Sequence, residues 1–248
     1  MRNEENELKQ VRRYYGWSDI PDVKECAENA YTDSVRPLHG IGLIGSRKSA
    51  ENSAKAERLE KWRQKVNKHI VLRVENFSQI KEEFDVWHGN TCDKIVTISK
   101  DILGYIEEKN EDLFKNKFHS TFPYGVAQKW LNMTIKNMLI LEMLGDKNIS
   151  NHIRQFDRGS LHVPVDSIII KCAIDMNNKL NEEVIVIPKL PWSQFNKCQY
   201  TAFQDGLNTA IRLVQKEATL STNWNTRVDW EFDVWPKKRD SDERDIFI

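Results

Sequence analysis

Trp130, Met133, Thr134, Asn137, Met138, Leu141 and Leu144 follow i, i+3, i+4 spacing, and Gly145-Asp146 comes directly after them. That period predicts a long helix with a wide buried face, and glycine is the usual stop. No other feature constrains the chain as much, because a helix this apolar has to be surrounded by other elements. The surrounding sequence supplies them mainly as further helices. Glu4 to Tyr15 reads as a charged helix, and Ala50 to His69 is rich in Ala, Glu, Lys and Leu. Segments 77–88 and 92–107 are helical by spacing, the second with Ile95, Ile98, Ile102 and Ile106 on one stripe. Ser193 reads as the cap of a helix running to about Glu217. Pro164 and Asp166 favour a helix rather than a strand for Ser167 to Ile174. Strand signals are short: Val71 to Val74, the Val-Ile-Val-Ile at 184–187, and the period-2 alternation of 228–235. The predicted class is mostly α with few or no short strands. Residues 1–50, with a loop at 32–50, read as an N-terminal extension ahead of a helical domain at 51–248.

Composition narrows the function. Lys plus Arg equals Asp plus Glu, 37 each, so the formal charge is zero. A polyanionic partner then depends on local patches such as Lys115, Lys117, His119, Lys136, Lys147, Arg154 and Arg158. No apolar run approaches the roughly 20 residues that span a bilayer, and Met1 to Glu7 has no apolar leader core. The expectation is a cytoplasmic protein with no membrane partner. Cys26, Cys92, Cys172 and Cys198 are far apart and read as reduced thiols, and the six histidines lack ligand spacing. No metal or cofactor is therefore expected. Gly40, Gly42 and Gly45 follow no strand and miss the spacing of a phosphate loop. Most of the eight tryptophans belong in a core.

Two turns flank the long helix. Phe122-Pro123-Tyr124-Gly125-Val126-Ala127-Gln128-Lys129 sets a lysine near the helix start, and His162-Val163-Pro164-Val165-Asp166 sets an aspartate at the start of the next. A first-turn lysine is ordinarily solvated, and an N-cap aspartate ordinarily contributes about 1 kcal/mol of stability. An amine and a carboxylate fixed at two helix starts can also meet across one cleft, where an uncharged amine is a nucleophile.

Phe122-Pro123, Gly125-Val126, Lys129 and Val163-Pro164-Val165-Asp166 together resemble the helix–hairpin–helix DNA glycosylases, in particular the 8-oxoguanine glycosylase-like branch. The resemblance covers about residues 105–180. Ala127 stands where that family has a second hairpin glycine, and the two residues are 37 apart (166 − 129). It implies a DNA glycosylase, with associated AP lyase activity, that excises a damaged or modified base from double-stranded DNA. An oxidised purine is the default substrate, and a modified base in foreign DNA, removed as antiviral defence, is the other. It implies Lys129 as nucleophile and Asp166 as the activating carboxylate. Tyr124, Gly125, Val126, Ala127, Gln128 and His162 would contact DNA, with backbone N–H groups of residues 125–127 holding a phosphate. Trp192, Phe203, Trp224 and Trp230 are the candidates for a base pocket. Trp130 and Val126 would desolvate Lys129. No obligate protein partner is evident. The alternative is a non-catalytic helical DNA-binding module that uses the hairpin for phosphate contact.

Overall fold

The computed structural model describes residues 12, 16–39, 53–103, 121–216 and 223–245. The described residues form α1 (Val23–Ser34), α2 (Arg36–His39), α3 (Ser53–Glu75), α4 (Phe77–Ile80), α5 (Phe84–Ile98) and α6 (Lys100–Leu103). After these come α7 (Tyr124–Met143), α8 (Lys147–Ile153), α9 (Ser167–Leu180), a 3-10 turn (Trp192–Gln194), α10 (Lys197–Lys216) and α11 (Arg227–Asp245). There is no strand among them, so the mostly α class holds. The two strands expected at 71–74 and 228–235 are helical: the first is the end of α3, the second lies in α11. Lys81, at φ 52°, breaks the helix expected at 77–88. The first helix of a hairpin motif, Lys115, Lys117, His119 and most of Glu4–Tyr15 lie outside the described residues.

α7 is the axis. Of its twenty residues, fourteen are buried, so apolar neighbours cover it on nearly every side. α1 lies along one flank, burying Val23, Cys26, Ala27 and Ala30 at helical spacing. Asp22 caps that helix by accepting from the Glu25 N–H at 2.7 Å. The Trp130 indole donates to the Ala27 carbonyl at 3.0 Å, and the Asn137 amide donates to the Cys26 carbonyl at 3.1 Å. Residues between Trp17 and Leu38 are thus part of the main core. Gly145, at φ 82°, ends α7 where glycine bears the left-handed conformation without strain. Asp146 then caps α8 through the N–H groups of Asn148 and Ile149.

The buried apolar residues form two clusters. One gathers α1, α3, α5, α8 and most of α7, and the other gathers α9, α10 and most of α11 with Val163, Val165 and Phe195. Tyr124 and Trp192 pack against both. The seam between the clusters runs past the start of α7, where the two turns meet.

Candidate active site at the seam

Lys129 and Asp166 come together. The Lys129 Nζ lies 3.4 Å from Asp166 Oδ2, with Lys129 only 8% exposed. Asp166 serves two purposes: its Oδ1 accepts from the Ile169 N–H at 2.9 Å as the N-cap of α9, which leaves Oδ2 for the amine. Oδ2 also accepts from the Trp235 indole N–H at 3.3 Å. On the other side, the Lys129 Nζ sits 4.6 Å from the centre of the Trp192 ring, a cation–π distance. An amine and a carboxylate are therefore enclosed between two half-buried indoles.

Trp192, and not Trp130, is the indole that shields Lys129. Trp130 is fully buried on the α1 side of α7, against Tyr31 and Trp62. The backbone around Trp192 is drawn tight onto the start of α7, where the Gly125 N–H donates to the Phe195 carbonyl at 3.1 Å. A Cβ at Gly125 would run into the Trp192 carbonyl oxygen and fall 2.9 Å from the Ser193 carbonyl carbon. Gly125→Ala must push this loop away, so it is expected to cost about 1–3 kcal/mol and to lift Trp192 off Lys129. Thermal unfolding and a crystal structure of the variant check both. An unshifted melting temperature with Trp192 in place would refute the steric reading.

The amides expected to hold a phosphate have acceptors within the protein. Besides the bond from Gly125 to Phe195, the Val126 and Ala127 N–H groups both donate to the Pro123 carbonyl, and residues 125–128 are buried. α7 begins at Tyr124, so the glycine-containing stretch is the helix's first turn, and its amides face protein. Tyr124 is half-buried with its ring 5.8 Å from that of Tyr200. Gln128 is fully buried.

His162 also faces inward. Its Nδ1 is 2.9 Å from the Tyr200 hydroxyl and its Nε2 is 2.9 Å from Asp85 Oδ1. His88, fully enclosed, reaches Asn132 Oδ1 through Nε2 at 2.9 Å, and the Asn132 amide donates to the Tyr200 hydroxyl at 2.8 Å. Burial lowers His162 to about 4 and holds His88 well below its ordinary value, so both rings are neutral at pH 7. The donors then run in one sense: His162 Nε2–H to Asp85, the Tyr200 O–H to His162 Nδ1, and His88 Nε2–H to Asn132. The hydrogen bond from His162 holds Asp85 below the usual carboxylate range.

Of the four aromatic residues expected to form a base pocket, only Trp192 lies at the amine. Phe203 and Trp230 are fully buried core residues of the second cluster. Trp224 donates to Asp233 Oδ2 at 3.1 Å and lines a cavity of about 390 Å³ between α9, α10 and α11. Trp235 was missed, because its segment carries a strand-like alternation.

One further pair occupies the same face of α7. Lys136, two turns beyond Lys129, reaches Glu231 Oε1 at 2.5 Å, and its Nζ lies 5.3 Å from the Trp235 ring centre. Glu231 is 1% exposed, and its Oε2 has no hydrogen-bond partner among the described residues. Burial raises the Glu231 carboxyl above its ordinary value, with Lys136 opposing. Lys136 is consequently not a surface charge, and Arg154 is paired with Glu142 at 3.0 Å. Lys147 and Arg158 remain exposed.

No group of three or more His, Cys, Asp or Glu that could hold a metal exists among the described residues. Among them, too, no helix is long and apolar enough to cross a membrane. No known family, curated protein or solved structure matches this chain.

Proposed function

We propose that the chain is a DNA glycosylase with an associated AP lyase step, acting on duplex DNA that carries a damaged or modified base. The observation that carries this reading is the 3.4 Å approach of Lys129 Nζ to Asp166 Oδ2 between two indoles. Enclosure of this kind strengthens electrostatics and limits the water that competes with an amine nucleophile.

The chemistry follows from the pair. Lys129 reacts as the uncharged amine and attacks C1′ of a nucleotide flipped out of the duplex, while Asp166 beside it stays ionised. The new N–C1′ bond forms as the glycosidic bond breaks, the base leaves with the bonding electrons, and the proton shed by the attacking nitrogen passes by way of Asp166 to the departing base. Positive charge that builds at C1′ is stabilised by the neighbouring carboxylate. Sugar-ring opening gives a Schiff base at Lys129. Loss of a C2′ proton then expels the 3′ phosphate and nicks the strand. An oxidised purine is the default base, and a modified base in foreign DNA, excised as antiviral defence, is the second substrate class.

A non-catalytic module that grips phosphate through the start of α7 is less well supported, because the amides at 125–127 already have protein acceptors.

The test is borohydride trapping on duplexes containing oxidised guanine and on hypermodified viral DNA. The expected result is a covalent protein–DNA adduct on one of the two, absent in Lys129→Gln. Tight binding without adduct or base release on every duplex would overturn the reading, and so would an adduct that survives in Lys129→Gln.

A further inference from the structure

Residues 161–166 belong to no helix, run through the interior of a protein that has no sheet among its described residues, and end extended at Asp166. Buried backbone outside a helix or sheet needs partners for its N–H and C=O groups. Here side-chain amides supply them, each offering a carbonyl and an NH₂ as a neighbouring strand would. Gln204 of α10 donates to the Val163 carbonyl at 2.8 Å and accepts from the Val163 N–H at 3.3 Å. Gln128 of α7 donates to the Val165 carbonyl at 3.4 Å and accepts from the Val165 N–H at 3.5 Å. Asn132 Nδ2, which also serves the Tyr200 hydroxyl, lies 3.2 Å from the Val163 carbonyl oxygen and 3.1 Å from Gln128 Oε1, so its two hydrogens are shared among three acceptors. Gln128 and Gln204 are 0% exposed.

The second of these pairs stands immediately beside the reacting groups. Gln128 precedes Lys129 and Val165 precedes Asp166, so the Gln128–Val165 pairing and the Lys129–Asp166 approach are successive rungs between the same two segments. We propose that Gln128 and Gln204 are positioning residues: they fix the turn that carries Asp166 against α7 and so set the distance from carboxylate to amine. This assigns Gln128 to the interior of the site instead of to DNA, and for its effect on rate it rests on the glycosylase reading. The fold provides an internal control. Asn177, three turns beyond Asp166 on α9, pairs in the same reciprocal manner with Ile185, at 2.8 and 2.9 Å, and the loop it holds bears none of the site residues.

The experiment compares Gln128→Met, Gln204→Met and Asn177→Leu in the full chain. Single-turnover adduct formation is expected to slow on the order of ten- to a hundred-fold in the two glutamine variants, the effect of an ångström-scale misplacement. DNA affinity should stay within about twofold, since neither side chain reaches the surface. Asn177→Leu should lower the melting temperature comparably and leave the adduct rate at the wild-type value. Amide hydrogen exchange reads the positioning without reference to activity. The Ile169 N–H, held by Asp166, should lose protection selectively in the glutamine variants. If the wild-type chain makes no adduct on any duplex, the glycosylase reading fails, and the Ile169 result still decides whether these residues place Asp166. Unchanged Ile169 protection in both glutamine variants overturns the proposal. Uniformly faster exchange across α7, α9 and α10, or an equal loss of rate in Asn177→Leu, also overturns it, because either marks plain destabilisation.

Discussion

Between pH 7 and pH 4 the protein is expected to lose about 3 kcal/mol of stability through His162 alone. The sign follows from its burial. In the folded state the ring is held from 6.5 down to about 4, so it stays neutral where an exposed histidine has already taken a proton. As pH falls below 6.5 the unfolded chain therefore binds the extra proton, and unfolding becomes progressively easier until about pH 4. His88 is depressed in the same direction and for the same cause, and Asp85, depressed by its hydrogen bond from His162, adds to the trend at lower pH. Glu231 opposes it, since its raised carboxyl favours the folded state as pH falls toward its unfolded value. Urea unfolding at pH 7, 5.5 and 4 measures the slope. A free energy of unfolding that is level to within 1 kcal/mol across that range, a margin smaller than a single pH unit's worth for one histidine, would sink the account.

Lys136→Met is expected to destabilise the fold by about 3–5 kcal/mol at pH 7, the usual result of leaving one member of a buried pair without the other. Methionine fills the space of the lysine stem between the Phe232 and Trp235 rings, so the loss is electrostatic rather than steric. Glu231 would retain a charge in a site where Oε2 already has no partner among the described residues. Lowering the pH lets that carboxyl protonate, so the deficit should shrink at pH 5. The double variant Lys136→Met/Glu231→Gln should regain most of the loss, which makes a double-mutant cycle the decisive measurement. A single variant as stable as wild type, or a double variant no better than the single, would show that the pair does not act as a unit.

The parts of this site that were legible in the sequence are those encoded locally. The period of α7, the cap at Asp166 and the stop at Gly145 each depend on residues within a few positions. The approach of Lys129 to Asp166 followed from the order of two turns around one helix. The illegible parts depend on distant partners. Nothing near Gly125 announces that the Phe195 carbonyl will take its N–H, and nothing near His162 points to Asp85 or Tyr200. α11 was misread for a more specific reason. Val228 and Phe232 pack on the first cluster while Trp230, Val234 and Trp235 pack on the second. A helix buried on two sides has no single apolar stripe, and its alternation imitates a strand. The role of α1 was missed because its contact with α7 depends on Cys26, Ala27 and Ala30, small residues that leave little hydrophobic signal.

Lys129 and Trp235 stand 106 positions apart (235 − 129), and α11 carries both Trp235 and Glu231. On a ribosome, which releases the chain from its N-terminal end, the amine and its acid partner emerge long before the indole that closes over them. Until that late helix settles onto α9, Lys129 has only the Trp192 ring beside it and Asp166 lacks the Trp235 N–H. On the proposed reading, the geometry therefore couples chemical competence to completion of the whole domain.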